Sequence, residues 1–136
     1  MSGYLADTSL WVDLLRGSAG AGRERLADEV RGGDESRLHL CEPIAMELIG
    51  GAGDREIAQV TRLVASLPSL DLDPHLDFRT AGDLYRRARV QGRTVRSFVD
   101  CLIAAIAIRT DSVVVHRDRD FELLAEVSPL QQERWG

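Results

Sequence analysis

Four acidic residues stand where chemistry is most easily built: Asp7, Glu47, Asp100 and Asp118. Asp7 directly follows the short apolar run Tyr4-Leu5-Ala6, and Asp118 comes two residues after Val113-Val114-Val115-His116 begins to turn polar. Glu47 falls one turn into a segment opened by Glu42-Pro43, and Asp100 falls in the first turn after Ser97. Carboxylates packed together repel and resist ionising unless a cation neutralises them. Mg²⁺ does this with hard oxygen ligands, keeping several waters and using one or two carboxylates plus a substrate phosphate. Four convergent carboxylates would therefore suit one or two such ions. The chemistry expected of them is activation of water and stabilisation of charge on a phosphate during in-line displacement.

Each acid also has a plainer reading. Asp7 and Asp118 are good helix N-cap types. Glu47 could be a solvated first-turn acid favoured by the helix dipole. Ser97-Phe98-Val99-Asp100 fits a capping box. Against that last reading, Asp100 heads a helix that is apolar on every side, where an unpartnered charge is costly. The four positions acquire a joint meaning only if the elements around them place them at one edge.

Those elements alternate. Tyr4-Leu5-Ala6 reads as a first strand, followed by a helix carrying Leu10, Trp11, Leu14 and Leu15 that closes at Gly17. A second helix is expected over 23–30 and a second strand over Arg37-Leu38-His39-Leu40-Cys41. Glu42-Pro43 starts a third helix, with Pro at a tolerated first-turn position. Further helices are expected over 54–67 and 76–90, separated by a short strand at Leu70-Asp71-Leu72. Ser97 opens the most apolar helix, from Phe98 to Ile108, which should be central and buried. Val113-Val114-Val115 reads as a buried strand, 118–125 as a last helix, and 127–130 as one more short strand. Strands alternating with helices imply an α/β fold with a parallel sheet covered on both faces. Sites in such folds form beyond the carboxyl ends of the strands, where all four acids would lie.

Composition narrows the field. At 136 residues the chain is one domain by size, spanning 1–136, with 44% hydrophobic residues to form a core. A net charge of −5 argues against a non-specific nucleic-acid coat protein, but leaves room for a nuclease with localised cations. All 17 basic residues are Arg, so any mechanism that needs a Lys is closed. That removes a phosphoacceptor receiver domain. Ser9 in place of a second acid removes a D-x-D phosphohydrolase, and the absence of G-x-x-x-x-G-K removes a Walker-type site. His39, His75 and His116 lack zinc spacing and read as structural or surface residues. Cys41 and Cys101 sit in apolar runs and read as buried, reduced thiols. No run of about 20 apolar residues suits a membrane span. The first residues lack the basic start and apolar core of a signal peptide. A cytoplasmic protein is expected.

The acidic segments also carry a family resemblance. The run from Tyr4 through Asp7-Thr8-Ser9-Leu10-Trp11 to Gly17 resembles the opening of bacterial PIN-domain proteins of the VapC toxin type. Ile44-Ala45-Met46-Glu47-Leu48-Ile49-Gly50-Gly51 resembles their second acidic motif. Val99-Asp100-Cys101-Leu102-Ile103-Ala104-Ala105 resembles the third, and His116-Arg117-Asp118-Arg119-Asp120-Phe121 the fourth. Each motif alone is weakly specific; four in family order across 4–121 are strong.

The resemblance implies a three-layer α/β/α sandwich with a central parallel sheet of four to five strands. It implies an Mg²⁺- or Mn²⁺-dependent endoribonuclease acting on structured cellular RNA, such as a transfer or ribosomal RNA. It carries Asp7, Glu47, Asp100 and Asp118 over as catalytic and metal-site residues, with Asp120 as an uncertain fifth. Ser9, and Thr8 beside it, would support the site. The implied partners are a VapB-like antitoxin whose tail lies across the acidic groove, and a second copy of the chain, giving a homodimer and a toxin–antitoxin hetero-oligomer. Two other functions stay open: a non-catalytic PIN-like module acting through its antitoxin, and a DNA nuclease or broader phosphodiesterase.

An acidic pocket also needs cations to receive a phosphate chain. Arg86, Arg87, Arg89, Arg93 and Arg96 precede the third motif, and Arg117 and Arg119 flank Asp118. Guanidinium pairs well with phosphate, so Arg96, Arg117 and Arg119 are candidate RNA contacts. The plainer reading is a solvated, ion-paired helix face. With only 5% aromatics, broad base stacking is not expected, and recognition by RNA shape is favoured.

Overall fold

The computed structural model describes residues 3–17 and 20–136; Met1 and Ser2, among the first residues read above for a signal peptide, lie outside the described residues. The elements follow in the order β1 (Tyr4–Ala6), α1 (Thr8–Arg16), α2 (Ala21–Arg31), β2 (Leu38–His39) and α3 (Glu42–Gly51). Then come α4 (Ile57–Ser66), α5 (Pro74–Val90), α6 (Phe98–Arg109), β3 (Val113–His116), α7 (Arg119–Glu126) and β4 (Gln131–Arg134). The four strands form one sheet in the order β2-β1-β3-β4, and every pairing is parallel. Helices cover it to give a three-layer α/β/α sandwich, within the four to five strands expected. All four carboxyl ends therefore point to one edge.

The centre of the molecule follows from α6. Residues Cys101 to Ala107 are all buried, because the helix has no polar face to offer water. Ala104, Ala105 and Ala107 let neighbouring backbones come close, and α5 packs along α6 in the most extensive helix pairing of the fold. Val114 and Val115 of β3 and Leu5 and Ala6 of β1 complete the core at 0% exposure. Cys41 and Cys101 are free and buried, and burial pushes both thiols up to about 12.

The far end of α6 is tied by an ion pair whose carboxylate is buried and whose guanidinium reaches solvent. Arg109 donates through Nε and Nη2 to both carboxylate oxygens of Asp77, at 2.9 and 3.0 Å. The same guanidinium donates to the Asp71 carbonyl, and Asp77 Oδ2 accepts from the Asp73 N–H at 2.8 Å. This explains a departure from the sequence reading. The strand expected at 70–72 is only a single parallel bridge between Leu40 and Ser69. The Leu70 N–H still donates to the Leu40 carbonyl at 2.7 Å, but the Asp71 carbonyl is taken by Arg109 and the partner backbone turns into α3 at Glu42.

The last strand is also displaced. The strand expected at 127–130 does not form; β4 lies at Gln131–Arg134 instead. Residues 127–128 close α7, with the Val127 N–H and the Ser128 hydroxyl both donating to the Leu124 carbonyl, and Pro129 follows. The strand that does form is polar and largely exposed, so hydrophobic alternation could not reveal it. It is held by its ladder to β3, prolonged where the Trp135 N–H donates to the His116 carbonyl at 2.7 Å. Chain and helix meet closely here: a Cβ on Gly22 of α2 would lie 1.9 Å from the Trp135 carbonyl oxygen.

Candidate metal and nuclease site

The carboxyl edge collects the acids. The Asp7 N–H donates to the Val115 carbonyl at 2.9 Å, continuing the β1–β3 ladder by one residue. Asp7 stands at the N-cap of α1 but makes no side-chain cap bond. Its Oδ2 instead accepts from the Ser9 hydroxyl at 2.8 Å. The Thr8 hydroxyl donates to Glu47 Oε1 at 2.8 Å, joining the first turn of α1 to α3. Thr8 and Ser9 thus each orient one acid.

Asp118 does both things its position allows. Its Oδ1 caps α7 by accepting from the Asp120 N–H at 3.0 Å, and accepts from Arg96 Nη2 at 3.1 Å. Its own N–H donates to His116 Nδ1 at 3.0 Å. An accepting Nδ1 leaves the proton on Nε2, which faces Gln132 Oε1 at 2.6 Å. Asp120, the uncertain fifth acid, is 1% exposed. Its Oδ2 accepts from the Arg96 N–H at 3.1 Å, while Oδ1 is buried without a hydrogen-bond partner. Asp100 enters from the first turn of α6, its N–H donating to the Ser97 hydroxyl at 3.3 Å.

One oxygen from each of Asp100, Asp118 and Asp120 lies within 4.8 Å of the others. Asp7 and Glu47 are outside that trio but electrostatically coupled to it. Asp100 is pushed up to about 8, first by burial and then by Asp7, Asp118, Glu47 and Asp120. Burial likewise raises Asp7 and Glu47 against the hydrogen bonds from Ser9 and Thr8, with Asp118 acting on Asp7 and Asp7 on Glu47. All five acids form one unit with Asp100 at its centre. A buried carboxylate oxygen without a donor is costly, and crowded carboxylates favour a cation. An all-oxygen donor set of this kind fits a hard divalent cation.

The candidate phosphate contacts separate into two groups. Arg96, Arg117 and Arg119 line a cleft of about 420 Å³ together with Ser9, Asp118 and Arg134. Arg117 is ion-paired to Asp13 at 2.9 Å. In the other group, Arg87 pairs with Asp83 and Arg93 with Glu126, as a solvated helix face would. Sequence reasoning missed Arg134, which arrives on the unrecognised strand β4 and chelates Glu122 through two nitrogens at 2.7 and 3.1 Å. It also missed His116 as the residue that positions Asp118; the only signal was its place at the end of an apolar run.

A parallel sheet with acids converging at its carboxyl edge is the arrangement found in a known class of proteins. Residues 4–127 match the PIN domain, and the chain belongs to the PIN-domain family. More particularly, it is 47% identical over 131 residues to VapC ribonuclease Mb1587 of Mycobacterium bovis and to Ribonuclease VapC11 of Mycobacterium tuberculosis. Those alignments cover 93% of this chain and 95% of each relative. The fold is shared with the crystal structure of DNA-bound VapBC from Salmonella typhimurium, at a TM-score of 0.76, 23% identity and 100% coverage of both chains. VapBC-1 from nontypeable Haemophilus influenzae is also similar, at a TM-score of 0.72, 20% identity and 97% coverage of both.

Proposed function

We propose that this chain, as a single domain over 1–136, is an endoribonuclease toxin dependent on Mg²⁺ or Mn²⁺. Its substrate is structured cellular RNA of the transfer or ribosomal type, and a VapB-like antitoxin neutralises it. The observation that carries this reading is the five-acid unit centred on Asp100, with a buried, donorless oxygen on Asp120. Identity of 47% to VapC ribonucleases supports the choice of RNA.

Asp7, Glu47, Asp100, Asp118 and Asp120 are the residues that would hold the cation. When bound, a divalent cation supplies Lewis-acid stabilisation of phosphate charge and activation of water. Thr8 and Ser9 hold Glu47 and Asp7 in orientation through their hydroxyls. His116 fixes the backbone at Asp118. Arg96, Arg117, Arg119 and Arg134 supply guanidinium groups to the RNA backbone beside the acids.

An apolar groove supports the protein partners, whether the antitoxin or a second copy. It runs beside α3, α5 and α6, and its residues Met46, Phe78 and Phe98 are 58%, 55% and 63% exposed. Exposed apolar surface of this kind marks interaction sites.

The test is incubation of purified, antitoxin-free protein with total bacterial RNA in Mg²⁺, in Mn²⁺ and in chelator, beside Asp100→Asn. Discrete metal-dependent cuts that disappear in the variant are expected. Folded protein that leaves RNA intact with either metal would sink the nuclease reading in favour of a binding module.

A further inference from the structure

The acidic unit already has one cation at its mouth, and it belongs to the chain. Among the described residues, Arg96 is the one cationic side chain within 4.0 Å of any of the five acids. Its Nη2 lies 3.1 Å from Asp118 Oδ1 and its Nε 3.6 Å from Asp120 Oδ2. The side chain is 65% exposed, whereas that of Asp120 is 1% exposed. The guanidinium therefore caps the trio from the solvent side rather than being packed into it.

Two features suit this group to exchange partners. First, the Arg96 backbone is anchored independently, because its N–H donates to Asp120 Oδ2 whatever the side chain does. An exposed side chain on a fixed backbone reorients within nanoseconds. Second, Arg96 also lines the cleft with Arg117, Arg119, Arg134 and Ser9. Asp118 is shared by the trio and the cleft, so the guanidinium sits at the boundary between a cation site and an anion site. A divalent cation drawn to Asp118 and Asp120 competes for the carboxylates that hold Arg96. An Arg released from them has spare donors facing a cleft where guanidiniums are gathered.

We propose that Arg96 is an internal counter-ion which a divalent cation displaces, and that the released guanidinium then binds an RNA phosphate in the adjoining cleft. The proposal rests on the nuclease reading above. Metal and RNA then bind cooperatively, each favouring the other through one side chain, as linkage requires. Before metal arrives, the same contact keeps Arg96 away from RNA.

The experiment measures binding, not turnover, on the full chain. Mn²⁺ affinity is read by electron paramagnetic resonance. Affinity for a short, nuclease-resistant 2′-O-methyl phosphorothioate RNA is read by fluorescence anisotropy, with and without Mn²⁺. For Arg96→Gln, Mn²⁺ should bind several-fold more tightly in the absence of RNA, because its competitor is gone. RNA affinity should be unchanged without metal and weaker by on the order of tenfold with it. Arg119→Gln is the comparison for a fixed phosphate ligand, since Arg119 makes no ion pair among the described residues; its loss should be equal with and without Mn²⁺. If Arg96→Gln also loses RNA affinity equally in both conditions, or leaves Mn²⁺ affinity unchanged, the exchange is overturned while the nuclease reading survives. If wild-type protein binds the RNA under neither condition, both fall.

Discussion

His116 accepts a hydrogen bond from the backbone N–H of Asp118 through Nδ1, at 3.0 Å, from a fully buried position. The same ring contacts Gln132 of β4 through Nε2 and packs on Phe121 with ring centroids 5.3 Å apart. One imidazole thus fixes the end of β3, the start of α7 and the backbone of a candidate metal ligand.

His116→Leu should therefore do two separable things. Stability should fall by about 1–3 kcal/mol, because the half-buried Asp118 N–H and Gln132 amide oxygen lose their partners. RNA cleavage should fall further than the loss of folded protein explains, because Asp118 loses its alignment. Urea unfolding and cleavage rates per folded molecule check this; full activity in the folded fraction would show that His116 is structural alone.

Asp100 should make stability depend on pH in the opposite direction from an ordinary paired carboxylate. Its ordinary value is 3.8, and the fold holds it near 8. Between those values the native state binds more protons than the unfolded chain, so stability falls as pH rises. The contribution is present in full below 3.8 and is lost as pH rises through about 8. In chelator, Asp100→Asn should melt several degrees above wild type near pH 9, with the gap narrowing steadily below about pH 8 and closing only toward about pH 4. A variant that melts below wild type at the higher pH would contradict this assignment of Asp100's environment.

Divalent cation should reverse that penalty. A ligand that binds only the native state stabilises it by about 2.7 kcal/mol at a concentration 100 times its Kd. Mn²⁺ should raise the melting temperature of wild-type protein, and Asp120→Asn should lose much of that rise. The buried Oδ1 of Asp120 has no other partner. An undiminished Mn²⁺ shift in the variant would place the cation away from Asp120.

The Asp77–Arg109 pair should affect stability without touching the site. It lies at the C-terminal end of α6, nine helical steps or about 13.5 Å from Asp100 along a helix axis. Arg109→Met leaves the 1% exposed Asp77 carboxyl with the Asp73 N–H as its remaining donor, and should cost about 1–3 kcal/mol. Asp77→Leu combined with Arg109→Met should cost less than the Arg109 change alone. A double-mutant cycle by chemical denaturation measures this, and RNA cleavage by the remaining folded protein should be near wild type.

Much of this molecule was decided by short-range pattern. The β–α alternation, the Gly17 stop, the Ser97 cap and the all-round apolar α6 are local signals, and the acids fall at or near the strand ends and helix starts they mark out. Asp7, Glu47, Asp100 and Asp118 were legible for that reason. Tertiary structure decided what local pattern cannot carry. Strand β4 is polar and exists through its ladder to β3, so it and Arg134 had no hydrophobic signature. The ladder expected at 70–72 was pre-empted by Arg109, a residue 38 positions from Asp71. Asp120 is in the acidic unit because α7 turns it inward toward the Arg96 backbone, 24 positions away. Hydrogen bonds and charge couplings over such separations depend on where the folded chain brings the partners, and that is set only once the core around α6 has closed.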